Sequence, residues 1–523
     1  MGCFGRKKIF TDVTEITRDN VLNVLRKALI THWSNKADME YLYAYYKGRQ
    51  PILNRKKEVR PEIQNNVVEN RANEIVSFKV GYLMGEPIQY VSRSDDKMVA
   101  DKITTLNGYC LSEDKAAKDK ELADWFHICG TAYRMVLPDS VFEKESDEAP
   151  FEIYTLDPRF AFVVYANSIG EPPVMGVKYI QRSDGAVIYS IYTKDRYFEV
   201  ENQSMIVREE AQSLGIPIIE YPANNARLGA FEIVLPLLDA INTVDSNRLD
   251  GVEQFVQALM LFHNVDISGD DFSKLRDEGA IKYKDIDPQY KAEIKYLTSE
   301  LNQSQTQTLV DHLYNTVLTI CGMPNRNGGT STSDTGSAVI MRDGWSAAEA
   351  RAKDSELMFK KSERIFLKLI LNICKTLKGM DLKVCNIEIR FTRRNYENIL
   401  QKAQVLDLML KNSKIHPRLA FEHCGLFVDS DLAYTLSAEY EEEQEKQLKE
   451  AQQWLNGSKE AQEWFERTKR VIELLEQQLG TQNSLEKQNT EKEDETDDSN
   501  TDKGNGAAGG NAAQARQQSG SAD

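Results

Sequence analysis

The residues best suited to binding chemistry form a polar loop between two helical segments. The loop reads Asn325-Arg326-Asn327-Gly328-Gly329-Thr330-Ser331-Thr332-Ser333-Asp334-Thr335-Gly336. Its hydroxyls and amides form hydrogen bonds in either direction, and it carries one cation and one carboxylate. Such a loop would contact a polyanion weakly and transiently. The same composition is typical of a flexible surface linker, and the residues alone leave both interpretations open.

A second group of candidates is a set of cations in the turn-rich residues 266–300, where acidic residues are about as frequent as basic ones. The cations are Lys274, Arg276, Lys282, Lys284, Lys291 and Lys295. A mixed face of this kind is usually solvated, and its alternative role is contact with DNA.

Motifs for catalysis and cofactor binding are either absent or lack the neighbouring strands and helices that they need. Gly504-Asn-Gly506-Ala-Ala-Gly509 has the spacing of a dinucleotide loop, but no strand precedes it and no helix follows it. The sequence has no GxxxxGK(S/T) loop for ATP and no GxSxG, and its histidines lack metal-ligand spacing. We therefore expect no enzymatic activity, no cofactor and no metal ion.

Three long helical segments must position the candidate residues. Apolar residues recur at helical spacing in 232–263, in 302–322 and from about 337 to 378. The stripes are Leu237, Ile241, Val244, Val252, Phe255 and Leu259 in the first, Leu309, Leu313, Val317 and Ile320 in the second, and Ile340, Met341, Trp345, Ala348, Phe359, Phe366, Leu369, Ile370 and Ile373 in the third. The third helix could instead begin at the capping box Ser346-Ala-Ala-Glu349, or be kinked at Gly344. The helix–insert–helix–loop–helix order is typical of a channel subunit.

The remaining sequence predicts an α+β fold that is mostly helical. Helices are expected at 18–47, 66–84 and 115–130, and period-two alternation predicts an antiparallel β-rich region from 132 to 221. A strand at Ile387–Phe391 is followed by helices at 396–411, 415–424 and 429–479. Residues beyond about 481 have no aromatic side chain, so we expect a disordered tail.

The amino-acid composition excludes further classes of function. The 523 residues carry a net charge of −16, which argues against a tight nucleic-acid binder but not against a protein that lets DNA pass. No apolar stretch reaches the roughly 18 residues that a membrane span needs, so no membrane partner is expected. The seven scattered cysteines are typical of reduced thiols in a cytosolic setting.

Several segments resemble one known family. They are Tyr46-Lys-Gly48-Arg49 through Arg60-Pro61-Glu62-Ile63, Asn65-Asn66-Val67-Val68-Glu69-Asn70, Val76 through Pro87, and Leu156-Asp157-Pro158-Arg159-Phe160. These segments resemble the portal proteins of tailed bacteriophages, in particular those of long-tailed phages of Gram-positive hosts. The resemblance covers roughly residues 10–455 and leaves out the tail.

The resemblance implies a ring, usually of twelve subunits, at one capsid vertex, with DNA entering and leaving along its axis. The implied division is an N-terminal α+β wing region (1–231), a stem helix (232–265), a clip (266–300), a second stem helix (301–322), a tunnel loop (323–336), a long wing helix and strand (337–395), a helical crown (396–480) and a disordered acidic tail (481–523). The tunnel loop would face DNA, and the clip cations would dock the motor.

The implied partners are further copies of the chain, double-stranded DNA without sequence specificity, the terminase large subunit, head-completion or adaptor proteins, and the major capsid and scaffolding proteins. The implied location is the virion, with assembly in the host cytoplasm. Two alternatives belong to other classes: a capsid or tail scaffold protein that forms no channel, and a nucleic-acid-processing enzyme.

Overall fold

The fold is taken from a computed structural model of the chain. The structure describes residues 5–58, 60–93, 96–139, 148–256, 259–266, 284–287, 289, 291, 293–297, 303–325, 344–393, 399–427, 430–457, 463–464 and 466–471. The chain divides into two compact units, Met1–Leu408 and Met409–Asp523.

Two β-sheets form a large part of the first unit. Their strands are β1 (Ile9–Thr11), β3 (Thr131–Pro138), β4 (Phe151–Leu156), β5 (Ala161–Ala166), β6 (Pro173–Gln181), β7 (Val187–Tyr192), β8 (Arg196–Glu201), β9 (Met205–Ala211) and β10 (Ile218–Pro222), and a separate β2 (Gln89–Ser92) lies outside both sheets. The strand orders are β1-β5-β6-β7-β8-β9 and β10-β3-β4. The antiparallel region expected from 132 to 221 is confirmed. The short β1 was not predicted, and it pairs parallel with β5.

Helices α1 (Val21–Tyr46), α2 (Arg71–Leu83), α3 (Lys97–Ser112) and α4 (Lys115–Cys129) complete the N-terminal part. The helices predicted at 18–47, 66–84 and 115–130 are confirmed, with somewhat shorter ends. Helix α3 was not predicted, because Thr104, Thr105 and Gly108 lower the intrinsic helix propensity. Tertiary burial of Ile103 and Leu106 outweighs that propensity.

One core forms where α1 packs on the larger sheet. Val21, Leu25 and Leu29 of α1 join Phe162 and Val164 of β5 in a single buried cluster. Residues on both faces of β5 are buried, since Ala161, Phe162, Val163 and Val164 are all less than one-tenth exposed. The alternation expected of a half-exposed strand is therefore replaced by a continuous buried run.

The first long helix is shorter than predicted. A 3₁₀ turn (Glu232–Val234) leads into α5 (Leu235–Val256), and Leu259–His263 forms strand β11 rather than more helix. The prediction of one helix over 232–263 is therefore wrong at its C-terminal end. The apolar run Leu259-Met-Leu-Phe262 fits a buried strand as well as a helix, and antiparallel pairing with β14 (Glu293–Leu297) decides the outcome.

The segment that begins with β11 holds another strand pair besides β11 and β14. Strand β12 (Val265–Asp266) pairs with β13 (Lys284–Asp285). The second long helix, predicted at 302–322, is confirmed as α6 (Gln303–Cys321), and it packs against α5.

The longest helix is α7 (Trp345–Lys378). Gly344 precedes it with φ +83°, and no side chain caps the first turn, so the capping box at Ser346 is not formed. Residues 337–343, which the sequence analysis placed in this helix, lie outside the described residues. The predicted strand follows as β15 (Ile387–Arg390), and it pairs antiparallel with β2.

A buried charge network joins α7 to α4 and β3 within the first unit. Lys115 Nζ lies 2.6 Å from Asp119 Oδ2 and 2.7 Å from Glu363 Oε1, and Arg134 pairs with both carboxylates. The hydroxyls of Tyr90 and Tyr221 also donate to Glu363, at 2.6 and 2.7 Å. Two cations balance two carboxylates, so the network satisfies charges that would otherwise be very costly to bury.

Helices make up most of the described chain beyond β15. Its helices are α8 (Ile399–Leu410), α9 (Pro417–Cys424) and α10 (Ser430–Gly457). The helices predicted at 396–411 and 415–424 are confirmed, and the one predicted at 429–479 is confirmed for its described part. Residues 481–523 lie outside the described residues, so the disordered tail stays a prediction.

Candidate functional site

The candidate site is the α5–α6 pair with the segment that packs on it. A buried ion pair anchors the start of α5, because Arg6 Nη2 donates to Glu232 Oε1 at 2.6 Å. The N–H of Gly229 donates to the other oxygen of Glu232 at 2.9 Å. Gly5 has φ +62°, and a Cβ there would lie 1.8 Å from the Ala226 carbonyl oxygen. Only glycine therefore lets the N-terminus approach the start of α5 this closely.

A ladder of hydrogen bonds joins α5 to the extended segment before α2. Three buried polar residues, one turn apart on α5, accept bonds from alternate backbone N–H groups of that segment. The pairs are Glu69 N–H to Asn242 Oδ1 at 3.0 Å, Val67 N–H to Ser246 Oγ at 3.0 Å, and Asn65 N–H to Asp250 Oδ1 at 2.7 Å. Four helical residues rise about 6 Å and two extended residues advance about 6.6 Å, so the two repeats match.

Asp250 is the charged acceptor at one end of this ladder. Lys57 Nζ donates to its Oδ2 at 3.0 Å, and Arg55 Nη2 lies 3.3 Å from the same oxygen. Burial alone would raise the pKa of Asp250, but the Asn65 N–H and the Lys57 ammonium outweigh it and hold that pKa below its ordinary value. The carboxylate is therefore ionised at neutral pH, and it ties the basic loop 55–60 to α5.

A polar cleft of about 720 Å³ lies beside the ladder. Its lining comes from the start of α2, the middle of α5, and α6 with the residues that follow it: Glu69, Arg71, Glu74, Ser77, Phe78, Asp245, Arg248, Gln307, Val310, Asp311, Tyr314, Leu318, Met323, Pro324 and Asn325. Arg71 pairs with Glu74 at 2.9 Å and lies over the Tyr314 ring, 4.1 Å from its centroid. These contacts connect α2 to α6.

Two carboxylates meet on the α5 side of the cleft. Burial, followed by the hydrogen bond and the negative charge of Glu69, raises the pKa of Asp245 to about 6. Arg248 compensates only partly, since its Nη1 lies 3.5 Å from Asp245 Oδ1 and donates to Gln307 Oε1 at 2.9 Å. Among the described residues, no cluster of His, Cys, Asp and Glu could hold a metal ion.

Comparison with known proteins identifies the family. The family described as "Phage portal protein, SPP1 Gp6-like" matches residues 26–463. The chain belongs to this portal protein family. A search of the curated proteins finds no match. The helix pair, the insert and the ladder segment all lie inside the matched range.

Membership of the portal family confirms the predicted resemblance and the mixed α+β class. It makes this a structural component of a bacteriophage virion that serves DNA packaging at the capsid. In the part of the chain that the structure describes, no helix is both long enough and apolar enough to cross a membrane.

The structure describes only some of the predicted site residues. In the loop, Asn325 is at the margin of the cleft and its Nδ2 donates to Asn315 Oδ1 at 3.1 Å, whereas residues 326–336 lie outside the described residues. Three of the clip cations, Lys274, Arg276 and Lys282, also lie outside the described residues. Of the others, Lys284 is in β13, Lys291 is exposed, and Lys295 pairs with Glu293 at 2.6 Å. The assignment of these residues to DNA and motor contacts stays a prediction.

The polar ladder was not predicted. The prediction for α5 rested on its apolar positions alone, although Asn242, Ser246 and Asp250 recur every four residues. That spacing was the available signal. Conversely, the predicted apolar positions Val252, Leu309 and Ile320 are 45%, 47% and 38% exposed. On α6 the predicted position Val317 is buried, together with Val310, Leu318 and Cys321, which were not predicted.

Proposed function

We propose that copies of this chain form a closed ring of twelve at one capsid vertex, with α5 and α6 lining a channel for DNA packaging and ejection. The role is structural rather than catalytic. The segment 323–336 would be the tunnel loop that touches moving DNA, and the insert 266–300 would be the clip that docks the terminase large subunit and later the head-completion proteins.

The exposed apolar surface of the helix pair carries this proposal. Leu249 and Val252 of α5, and Leu309 and Ile320 of α6, are each between 38% and 49% exposed in the single chain. Exposed apolar residues on two neighbouring helices mark an interaction surface. In a ring, each helix pair would bury that surface against the next copy through head-to-tail contacts that close by rotation.

The charge of the chain fits passage of DNA. Each copy adds a net charge of −16, so a ring would not bind DNA tightly as a whole. Tight binding by many cations would oppose translocation, since each neutralised phosphate strengthens the complex. Assembly would take place in the host cytoplasm, together with the major capsid and scaffolding proteins.

Paired substitutions test the ring interface. We expect Val252→Glu with Leu309→Glu to abolish ring assembly and leave a folded subunit of 59.6 kDa, because two buried carboxylates per interface would lack partners. The control is Ile169→Glu, since Ile169 is fully exposed in the hairpin between β5 and β6. Native mass measurement and electron microscopy report the outcome. Unimpaired rings from the double variant would contradict the interface, and an assembly without an axial hole would favour the scaffold alternative.

A further inference from the structure

The exposed face of α7 is strongly basic. Lys353, Lys361, Arg364, Lys368 and Lys375 are all exposed. At 3.6 residues per turn, their positions fall within an arc of about 80° around the helix. From the first to the last of these residues the face extends about 33 Å, at 1.5 Å per residue. The face is therefore a straight row of cations on one side of a rigid element.

Few carboxylates neutralise this row. Arg364 and Lys368 form no ion pair with any described residue, and the Glu171 carboxylate near Lys361 already pairs with Lys8. Lys375 lies 3.0 Å from Asp381, but both side chains are more than 60% exposed. Lys353 lies 3.8 Å from Glu349, which already accepts a bond from Arg393. In a chain of net charge −16, this is a local reversal of sign.

The packing of α7 holds this face toward the outside. The opposite side of the helix buries Phe359, Phe366 and Ile370 in the core. It also buries Glu363 within the charge network formed with Lys115 and Arg134. Rotation of α7 about its axis would break that network, so the basic row has a fixed orientation relative to its unit.

We propose that this row, from Lys353 to Lys375, is a docking surface for the phosphates of double-stranded DNA. Lysine and arginine are the side chains that neutralise DNA phosphates. The length of about 33 Å corresponds to roughly one turn of the duplex. The exposed apolar residues on this side are Leu357 and Ile365, and the core of a protein interface is normally more apolar and poor in lysine.

This contact differs from the channel role proposed above. It involves α7 and neither the tunnel loop nor the exposed faces of α5 and α6, so it stands if those assignments fail. The lysine-rich and apolar-poor composition of the row favours DNA over a face on a second copy of the chain. The second copy is the competing occupant, and the experiment separates the two.

The test compares two variants with the same change in net charge. The first is Lys361→Gln with Arg364→Gln and Lys368→Gln. The control is Lys27→Gln with Lys47→Gln and Arg49→Gln, three exposed cations on or just after α1. Binding of a duplex of about 30 base pairs is followed by fluorescence anisotropy over a range of salt concentrations, with assembly state and thermal unfolding measured in parallel.

We expect the α7 variant to bind DNA more weakly, with the slope of log affinity against log salt smaller by about 2–3, since each lost phosphate contact removes about 0.9. Arg364→Gln alone should remove about 0.9, and the control should match the wild type. The thermal midpoint should be unchanged in all of them. Equal binding by the α7 variant and the wild type would overturn the proposal. Loss of ring assembly with unchanged DNA binding would also overturn it and assign the face to a neighbouring copy.

Discussion

Single side chains determine how the segment before α2 attaches to α5. Ser246 accepts from the Val67 N–H at 3.0 Å and donates to the Asn242 carbonyl at 2.7 Å. It is fully buried, so neither water nor another side chain replaces it when it is removed. The ladder therefore depends on the hydroxyl rather than on the size of the residue.

Ser246→Ala should destabilise the unit by about 1–3 kcal/mol, the cost of a buried N–H left without an acceptor. The matched control is Thr243→Ala on the same helix, where an exposed hydroxyl donates to the Asp239 carbonyl at 2.8 Å. Its loss should cost at most about 0.5 kcal/mol. Denaturant unfolding measures both, and hydrogen exchange should show faster exchange at Val67 in the first variant only. Equal effects of the two substitutions would contradict the ladder.

Glu363→Gln should be far more damaging, because it leaves the buried Lys115 and Arg134 with an excess of positive charge. Removing one member of a buried ion pair costs roughly 3–5 kcal/mol. Although burial favours the neutral form, the two cations hold the pKa of Glu363 below its ordinary value. Its contribution is therefore complete above the unfolded pKa and is lost as the pH falls below about 4. Thermal unfolding between pH 3 and 7, with the exposed Asp354→Asn as control, should show the difference shrinking at acid pH.

Asp245 should show the opposite pH dependence. Because the folded pKa is about 6, the folded state binds a proton that the unfolded state releases between pH 4 and 6. Stability therefore falls as the pH rises from about 4 to about 6. Asp245→Asn, which keeps an acceptor for Arg248 and offers donors to Glu69, should raise the melting temperature at pH 8, raise it less at pH 5, and have little effect at pH 4. A destabilised variant at pH 8 would contradict this view of the cleft.

At the scale of elements, the local periodicity of apolar residues predicted the secondary structure correctly where either the helical or the strand period dominated. It predicted α1, α6 and the antiparallel region from 132 to 221. It failed at Leu259–His263, where a four-residue apolar run suits a strand or a helix and a distant partner, β14, decides between them. Periodicity also failed to predict α3, because its threonines and glycine lower the helix propensity of a segment that burial stabilises as a helix.

The candidate site was harder to predict than the fold. The motif Asn65-Asn66-Val67-Val68-Glu69-Asn70 was singled out as a family feature, but its function depends on acceptors about 170–190 residues later in the chain. The pairing of the two segments cannot be predicted from either one, because every residue except proline has a backbone N–H and these donors leave no signature in the sequence. The charge network of Glu363 is hidden in the same way, because its members come from α4, β3 and α7.

The tunnel loop is the element whose proposed role most needs a test. Removing Gly328–Ser333 should leave folding and ring formation intact, because this polar segment offers little apolar area to bury. DNA packaging, or retention of packaged DNA, should fall. Arg326→Glu should have a similar but smaller effect, since it replaces the loop's only cation with a charge that repels phosphate. Normal yields of DNA-filled heads from both variants would leave the segment as a plain linker.

At the scale of the whole molecule, the acidic chain combines features that suit a ring around DNA. Its helix pair exposes apolar residues that a monomer would leave in water, while the net charge of −16 limits adhesion to DNA. The basic row on α7 would then provide a confined contact on a protein that otherwise repels phosphates. These features lead to one expectation about assembly.

The most direct test is the mass and shape of the purified wild-type chain in solution. Sedimentation and negative-stain electron microscopy at micromolar concentration and moderate salt should reveal a closed ring with a central hole. A ring of twelve subunits of 59.6 kDa would have a mass of several hundred kilodaltons. A monodisperse monomer of 59.6 kDa under the same conditions would contradict the proposal that this chain forms a DNA channel.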